Sequence, residues 1–359
     1  MKAKAKEEST NRILRIAKDV ERARLMSEVE NFSAVPLDHP GLARAFQVGG
    51  APVGCVWVVH GPTGSGKTLL IARLMRCFQA HDAVPVYVDA EMIADVRVWF
   101  SKLGVDGEKC LYIGRQKKDE ERGKALSYEQ TVSSIDKVIA NYQANRDGKP
   151  LLIAVDSIDR LVPEAFIEAM EKDGGDALRS GVGRTKANMN AAWLMGLGPR
   201  VCDDDIAFIV IAHEGENKGA KPWEKAWYVK GGGELLFEAG VQVRVNFAGL
   251  VKERVGGKED VEVGKRHRIT VIKNKMGRCN EKTYLFTSNG VGLAPAGFDV
   301  PRELVTEALS LGVLEGPGEQ TDLTPAARLV LGDKKFRLRD CYGDNAAELE
   351  KGLRDAIGK

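Results

Sequence analysis

The stretch CVWVVHGPTGSGKTLLIARLM, residues 55–75, decides the fold of this chain. An apolar run at 56–59 leads into a glycine-rich loop, and an apolar helical pattern follows the loop. The loop matches G-x-x-x-x-G-K-[ST] at every fixed position. Its residues are Gly61, Pro62, Thr63, Gly64, Ser65, Gly66, Lys67 and Thr68. A strand before the loop and a helix after it distinguish a phosphate-binding loop from an ordinary glycine-rich turn.

Each fixed position of this phosphate loop (residues 61–68) has a chemical reason. Glycines let the backbone fold around a phosphate chain, so that its N–H groups point inward. The following helix presents its positive N-terminal end to the same anion. Lys67 is expected to reach the β- and γ-phosphates, and Thr68 to place its hydroxyl on Mg²⁺. The loop therefore predicts a nucleoside triphosphate and Mg²⁺ as cofactors.

Composition restricts the class of protein but not its partner. The chain has 359 residues, a hydrophobic content of 43% and a net charge of +2. The length and the hydrophobic content are enough for a buried core. The nearly balanced charge neither predicts nor excludes a nucleic-acid partner. The six cysteines are scattered without a C-x-x-C pair, and no apolar run approaches the length of a membrane span. We expect a cytoplasmic protein with reduced thiols and no membrane partner.

Predicted strands alternate with predicted helices over the first two thirds of the chain. The strands are expected at 84–88, 111–113, 151–155 and 206–212. This alternation favours an α/β fold with a mainly parallel central sheet. A period-2 pattern at 241–247, a turn-rich charged stretch around 256–264, and strands at 268–273 and 283–287 predict an antiparallel extension of that sheet.

We expect three parts. Residues 1–36 form an N-terminal helix and linker, 37–290 the nucleotide-binding core, and 291–359 a small α-rich C-terminal domain. The helix predicted at 9–31 is amphipathic, so it must bury its apolar stripe. It packs either on its own core or on a neighbouring subunit, and the residues alone leave both possibilities open.

Two carboxylates follow predicted strands. Glu91 comes just after the strand at 84–88, where a carboxylate can activate the water that attacks a γ-phosphate. It can also be merely a favourable charge at a helix N-terminus. Asp156 ends the apolar run 151–155, as a magnesium-binding carboxylate of a phosphate-loop enzyme does.

The order of motifs resembles the RecA-type recombinase family over nearly the whole chain. The motifs are GGAPVG at 49–54, the phosphate loop, DAE at 89–91, VDS at 155–157, GGG at 231–233 ahead of Phe237, and KNK at 273–275. The resemblance implies a RecA-like ATPase core that uses ATP and Mg²⁺. It implies a helical filament, built through the N-terminal helix, that coats single-stranded DNA, pairs it with double-stranded DNA and exchanges strands.

The same resemblance implies roles for individual residues. Glu91 becomes the catalytic base and Asp156 the magnesium partner, while Asp95 and Trp99 fall where the family contacts adenine. Lys273 and Lys275 match lysines that reach the neighbouring subunit's ATP, although alternate lysines on an exposed strand face would look the same.

His213 departs from the bacterial pattern. It stands where bacterial RecA has a glutamine that senses the γ-phosphate, and phage-type recombinases also have histidine there. A neutral imidazole can still donate a hydrogen bond to phosphate.

Two glycine-rich basic segments occupy the places of the family's DNA-binding loops. The first basic segment spans 171–186 and the second spans 214–233. The candidate DNA contacts are Arg179, Arg184, Lys186, Lys218, Lys221, Trp223, Lys225, Lys230, Gly232 and Gly233. Cations beside aromatic rings suit a single strand, since the cations bind phosphates and the rings stack on bases. In the alternative, these are solvated loops whose tryptophans, Trp223 and Trp227, pack on the protein itself.

Two other functions share these features. A ring-forming helicase has the same core but unwinds a forked duplex. A DNA-binding scaffold uses ATP only as a structural switch, but it needs neither Glu91 nor Lys67.

Overall fold

In the computed structural model, the described residues are 33–92, 95–114, 126–173, 182–202, 204–221, 223, 226–316 and 323–358. The predicted N-terminal helix at 9–31 therefore lies outside the described residues, as do Arg179 and Lys225.

Within this part of the chain, helices and strands alternate through the first two thirds. The α-helices are α1 (Pro40–Phe46), α2 (Lys67–Gln79), α3 (Val96–Lys102), α4 (Tyr128–Ala144), α5 (Glu164–Asp173), α6 (Val182–Cys202), α7 (Gly233–Glu238), α8 (Val300–Ser310) and α9 (Ala346–Ile357). The strands are β1 (Ala34–Pro36), β2 (Gly50–Pro52), β3 (Cys55–Gly61), β4 (Val84–Asp89), β5 (Leu111–Ile113), β6 (Leu151–Asp156), β7 (Ile206–Glu216), β8 (Trp227–Val229), β9 (Val241–Val255), β10 (Lys258–Asn274), β11 (Glu281–Ser288), β12 (Gly297–Phe298), β13 (Arg328–Leu331) and β14 (Lys334–Arg337).

One large sheet carries the phosphate loop at its centre. Its strand order is β12-β11-β10-β9-β3-β7-β6-β4-β5. Strand β8 lies outside this order and pairs with β7. The pairs from β9 through β3, β7, β6 and β4 to β5 are parallel, whereas β9, β10, β11 and β12 pair antiparallel. The predicted α/β fold with a parallel centre and an antiparallel extension is confirmed.

The central strand β3 is buried at every position because helices cover both faces of the sheet. Trp57 and Val59 belong to the apolar cluster that includes Leu70 and Leu74 of α2. Val56 and Val58 belong to the opposite cluster, which includes Leu194 of α6. Successive side chains of a strand point to opposite faces, so a continuous apolar run is what a doubly covered strand requires.

The antiparallel extension is longer than the sequence predicts. β9 has 15 residues and β10 has 17, and they are joined at the Gly256–Gly257 turn. The sequence predicted a turn-rich break over residues 256–264. This prediction is correct at the Gly256–Gly257 turn but wrong for the residues after it, which belong to β10. The distal half of this hairpin is largely solvated, so charged side chains obscure the apolar alternation that indicates a strand.

The C-terminal residues surround an apolar cluster of their own, which includes Leu304, Leu329 and Leu353. The predicted helices there are present, but the β13–β14 hairpin was not predicted. Pairing within the large sheet continues to Phe298, beyond the expected boundary at 290.

Buried charges join the C-terminal region to the helix of the phosphate loop. Arg73 of α2 is fully buried and lies 2.8 Å from Asp38 and 3.0 Å from Glu303 of α8. Burial raises the pKa of Glu303 to about 7, although Arg73 opposes the shift.

Among the described residues, no helix is both long enough and apolar enough to cross a bilayer.

Candidate functional site

Parallel register brings the carboxyl ends of four strands to one edge of the sheet. Gly61 lies beside His213, and Asp89 beside Asp156. The phosphate loop rises from this edge between β3 and α2. Gly64 and Gly66 have φ of +74° and +100°, in the left-handed region that favours glycine. A Cβ on Gly66 would also lie 2.5 Å from Nδ1 of His267, so both conformation and space require glycine there.

The side chain of Lys67 folds back into the phosphate loop. Its Nζ donates to the carbonyl oxygens of Gly61 and Pro62, at 3.0 and 2.9 Å. Burial lowers the pKa of Lys67, while the carboxylates of Asp156 and Glu91 act in the opposite direction. The hydroxyl of Ser65 is buried and has no hydrogen-bond partner among the described residues. A buried cation, an unpartnered hydroxyl and left-handed glycines fit a polyphosphate.

The side chains of Asp156 and Thr68, the predicted magnesium ligands, lie in contact. The hydroxyl of Thr68 donates to Oδ2 of Asp156 at 2.6 Å, and Tyr87 donates to the same oxygen at 3.0 Å. Burial raises the pKa of Asp156 to about 6, and these two hydrogen bonds lower it. A carboxylate and a hydroxyl are hard oxygen ligands of the kind that Mg²⁺ prefers. Sequence reasoning missed Tyr87, since it looks like an ordinary core aromatic of a strand.

Glu91 and His213 meet beside the loop. Oε1 of Glu91 accepts a hydrogen bond from the hydroxyl of Ser157 at 2.9 Å and lies 3.3 Å from Nε2 of His213. Nδ1 of the same imidazole lies 3.0 Å from Oδ2 of Asp159. Burial raises the pKa of Asp159, but the charge and hydrogen bonds of His213, together with a hydrogen bond from Ser157, bring the net pKa below its ordinary value. Asp159 was also missed, and its only sequence signal is its position three residues after Asp156.

A cleft of about 650 Å³ adjoins these groups. Its lining includes Lys67, Thr68, Glu91, Asp156 and His213, together with Trp99, Lys265, His267, Asn289 and Gly297. Trp99 is thus in position for the expected base contact, which stays a prediction. Asp95 is exposed and does not line the cleft.

Lys273 and Lys275 lie towards the other end of the sheet. Asn274, between them, is paired with Val241, and Val241 is paired with Trp57 in the amino half of β3. The distance along β3 from there to the phosphate loop is about 13 Å. Nζ of Lys273 donates to the carbonyl oxygens of Leu236 and Phe237, at 3.0 and 2.9 Å. The two lysines therefore do not join the cleft of their own subunit.

The described ends of the first basic segment are helical. Residues 171–173 end α5, and Arg184 and Lys186 belong to the first turns of α6. Nζ of Lys186 donates to the carbonyl oxygen of Asp159 at 2.6 Å, and burial lowers its pKa. The expectation of a loop through 182–186 is wrong, because these residues continue into the helix that covers the sheet.

Two paired strands border the second basic segment. β7 extends to Glu216, and β8, which begins at Trp227, pairs with it antiparallel. Lys218, Lys221 and Lys230 are exposed, and Gly232 and Gly233 begin α7.

The two tryptophans of this segment have different surroundings. Trp223 is 78% exposed, and Nζ of Lys221 lies 5.4 Å from its ring centroid. Trp227 packs beneath the guanidinium of Arg244, at 4.3 Å, and its ring lies 5.2 Å from that of His60. The guanidinium of Arg244 also donates to the carboxylate of Glu214 at 2.8 Å. Trp227 therefore matches the packing alternative, whereas Trp223 is presented to solvent.

Comparisons with known proteins place the sequence in a family. The sequence model of the RecA N-terminal domain matches residues 13–291. Protein RecA of Mesorhizobium japonicum is 29% identical over 333 residues, covering 92% of this chain and 81% of the relative. Protein RecA of Nautilia profundicola is 26% identical over 335 residues, covering 92% and 85%. The crystal structure of the KaiC-like protein PH0186 from Pyrococcus horikoshii OT3 aligns with a TM-score of 0.47 at 17% identity, over 75% of this chain and 98% of that one.

Proposed function

The chain belongs to the RecA family, and from this premise we propose that it is a DNA-dependent ATPase that forms recombinase filaments. In this proposal it coats single-stranded DNA, pairs the strand with a homologous duplex and exchanges strands. The observation that carries the proposal is the approach of Glu91 to His213, at 3.3 Å, in the cleft that holds Lys67 and Thr68.

Each of these side chains has a chemical task. The phosphate loop and Lys67 bind the phosphates, and Thr68 with Asp156 holds Mg²⁺. Bound ATP supplies the phosphoanhydride that is hydrolysed, and Mg²⁺ neutralises charge on its phosphate oxygens. Glu91 accepts a proton from the attacking water, and the hydroxyl of Ser157 keeps its carboxylate in place.

His213 acts as the γ-phosphate sensor in this proposal. Its Nδ1 faces the carboxylate of Asp159, so in the neutral ring the proton belongs on Nδ1. Nε2 then donates to Glu91 or to phosphate only when the ring is protonated. The environment of this histidine thus links phosphate recognition to the position of the catalytic carboxylate.

The exposed part of the second basic segment is the proposed contact for single-stranded DNA. Lys218 and Lys221 supply cations, and the exposed ring of Trp223 supplies a stacking surface. Self-association through residues 1–36 and binding of double-stranded DNA complete the proposal.

Trp223→Ala is expected to weaken binding of a single-stranded oligonucleotide by about 5- to 100-fold, the loss of one stacked base. Trp227→Ala is the matched comparison, because this ring packs on Arg244 and His60. It is expected to destabilise the fold by about 2 kcal/mol. Fluorescence anisotropy at fixed salt and thermal unfolding separate the two effects. Unchanged affinity in Trp223→Ala would remove that ring from the DNA site.

ATP hydrolysis with and without single-stranded DNA, combined with electron microscopy of the same samples, tests the function as a whole. We expect DNA to stimulate hydrolysis and helical filaments to form. Closed rings that unwind a forked duplex would identify a helicase instead, and ATP binding without hydrolysis would identify a scaffold. The relatives quoted above carry the name Protein RecA, which favours the recombinase.

A further inference from the structure

We propose that His267 is a positioning residue of the nucleotide site, which holds the phosphate loop in its binding shape by fixing the carbonyl of Ser65. This inference rests on the nucleotide binding proposed above. It concerns a residue of the antiparallel extension that no sequence motif singled out.

Residues of the β9–β10 hairpin contact the phosphate loop. A Cβ on Gly61 would lie 2.1 Å from the carbonyl oxygen of Val245 in β9, so the loop begins in contact with the hairpin. His267 of β10 is 5% exposed, and its ring packs edge-on against Phe247 with centroids 6.0 Å apart. Nδ1 of His267 lies 2.6 Å from the carbonyl oxygen of Ser65. A carbonyl oxygen only accepts, so Nδ1 carries the proton and donates.

Within the loop, the N–H of Ser65 donates to the carbonyl oxygen of Pro62 at 3.2 Å, which holds the peptide before Ser65; His267 contacts the peptide after it. Ser65 stands between Gly64 and Gly66, both in the left-handed region, where glycine allows many other conformations. The Ser65 hydroxyl has no partner among the described residues, so it does not hold this second peptide. The imidazole lies flush against the loop, because a Cβ on Gly66 would meet Nδ1 at 2.5 Å.

Holding one carbonyl also orients the next N–H group. In a trans peptide, the C=O of one residue and the N–H of the next point in opposite directions. When the carbonyl of Ser65 points to His267, the N–H of Gly66 points away from that imidazole, and in this proposal it is one of the groups that face the nucleotide. Inward N–H groups are what a phosphate loop uses to bind its anion. His267 therefore preorganises the cradle before the nucleotide arrives.

The imidazole does this as a neutral group. Burial lowers the pKa of His267, its hydrogen bond to Ser65 opposes the shift, and the nearby Lys265 ammonium adds to it. Lys265 also lines the cleft and, two residues away along β10, lies on the same face of the strand.

Three variants test the proposal. His267→Leu removes the donor at similar bulk. His267→Asn restores an N–H donor the same number of bonds from the backbone as Nδ1. Arg268→Ala is the control, since this exposed neighbour lies on the opposite face of β10. The dissociation constant of a fluorescent ATP analogue with Mg²⁺ is measured for each, and thermal unfolding without nucleotide is followed in parallel.

We expect His267→Leu to weaken nucleotide binding about 5- to 100-fold, the cost of a buried carbonyl left unpaired. His267→Asn should recover most of the affinity, and Arg268→Ala should bind as the wild type does. Equal affinity of His267→Leu and wild type, or an asparagine variant no better than leucine, would overturn the proposal. If the leucine variant does not fold, His267→Ala provides the same comparison. Failure of the wild type itself to bind the analogue would instead overturn the proposed function.

Discussion

Glu91→Gln is expected to lower the rate of ATP turnover by about 10²- to 10⁴-fold, the usual contribution of a general base. Nucleotide affinity should change little. Glutamine keeps the size of the side chain and can still accept the hydrogen bond from Ser157. It cannot take a proton from water, so the loss falls on the chemical step alone.

Phosphate release and titration with a fluorescent ATP analogue measure the two quantities separately. Glu108→Gln is a suitable control, because this carboxylate is 84% exposed and pairs only with the exposed Arg97 in the described structure. Filaments on single-stranded DNA should still form in the Glu91 variant. Normal turnover would remove Glu91 as the base and leave His213, which also lines the cleft, as the next candidate.

Replacing Lys273 and Lys275 together by alanine is expected to reduce DNA-stimulated hydrolysis about 10³-fold, the scale of a cationic group supplied by a neighbour. Nucleotide binding by the isolated subunit should persist, because the two lysines lie towards the amino end of β3, away from its phosphate loop. A loss of hydrolysis with nucleotide binding intact is the result expected if a second subunit brings its lysines to the cleft.

Mixing variants tests this directly. The double lysine variant retains Glu91, and the Glu91→Gln variant retains the lysines, so a junction with the correct order contains one complete site. In an equal mixture about a quarter of the junctions meet this condition, and activity should reappear accordingly. Co-assembled filaments without any recovery would show that the lysines do not act between subunits.

Lys273 also has a local role that must be separated from this one. Its ammonium donates to the last carbonyls of α7, so alanine removes a helix cap as well as a charge. Lys273→Gln keeps a donor but loses the cation. If glutamine restores activity, the cap explains the loss; if it does not, the positive charge is required.

The sequence indicated those site residues that follow strands or lie in the phosphate loop. Lys67, Thr68, Glu91, Asp156 and His213 all line the cleft, as their positions in the phosphate loop or at strand ends predicted. Tyr87, Asp159 and His267 were not singled out. Each acts through one contact with a residue far along the chain, and periodicity carries no information about such contacts.

The alternation of strands and helices, the phosphate loop and the family resemblance could all be predicted from the residues. These depend on local spacing, which is set by backbone geometry over a few residues. Three-dimensional packing was needed to show that Trp227 packs against Arg244 while Trp223 stays exposed, and that Lys186 donates to Asp159. A polar or aromatic side chain is stable either on a surface loop or in the interior, provided that its polar atoms are hydrogen-bonded there. Its role therefore depends on which segments pack beside it, and the order of the strands in the sheet sets those neighbours.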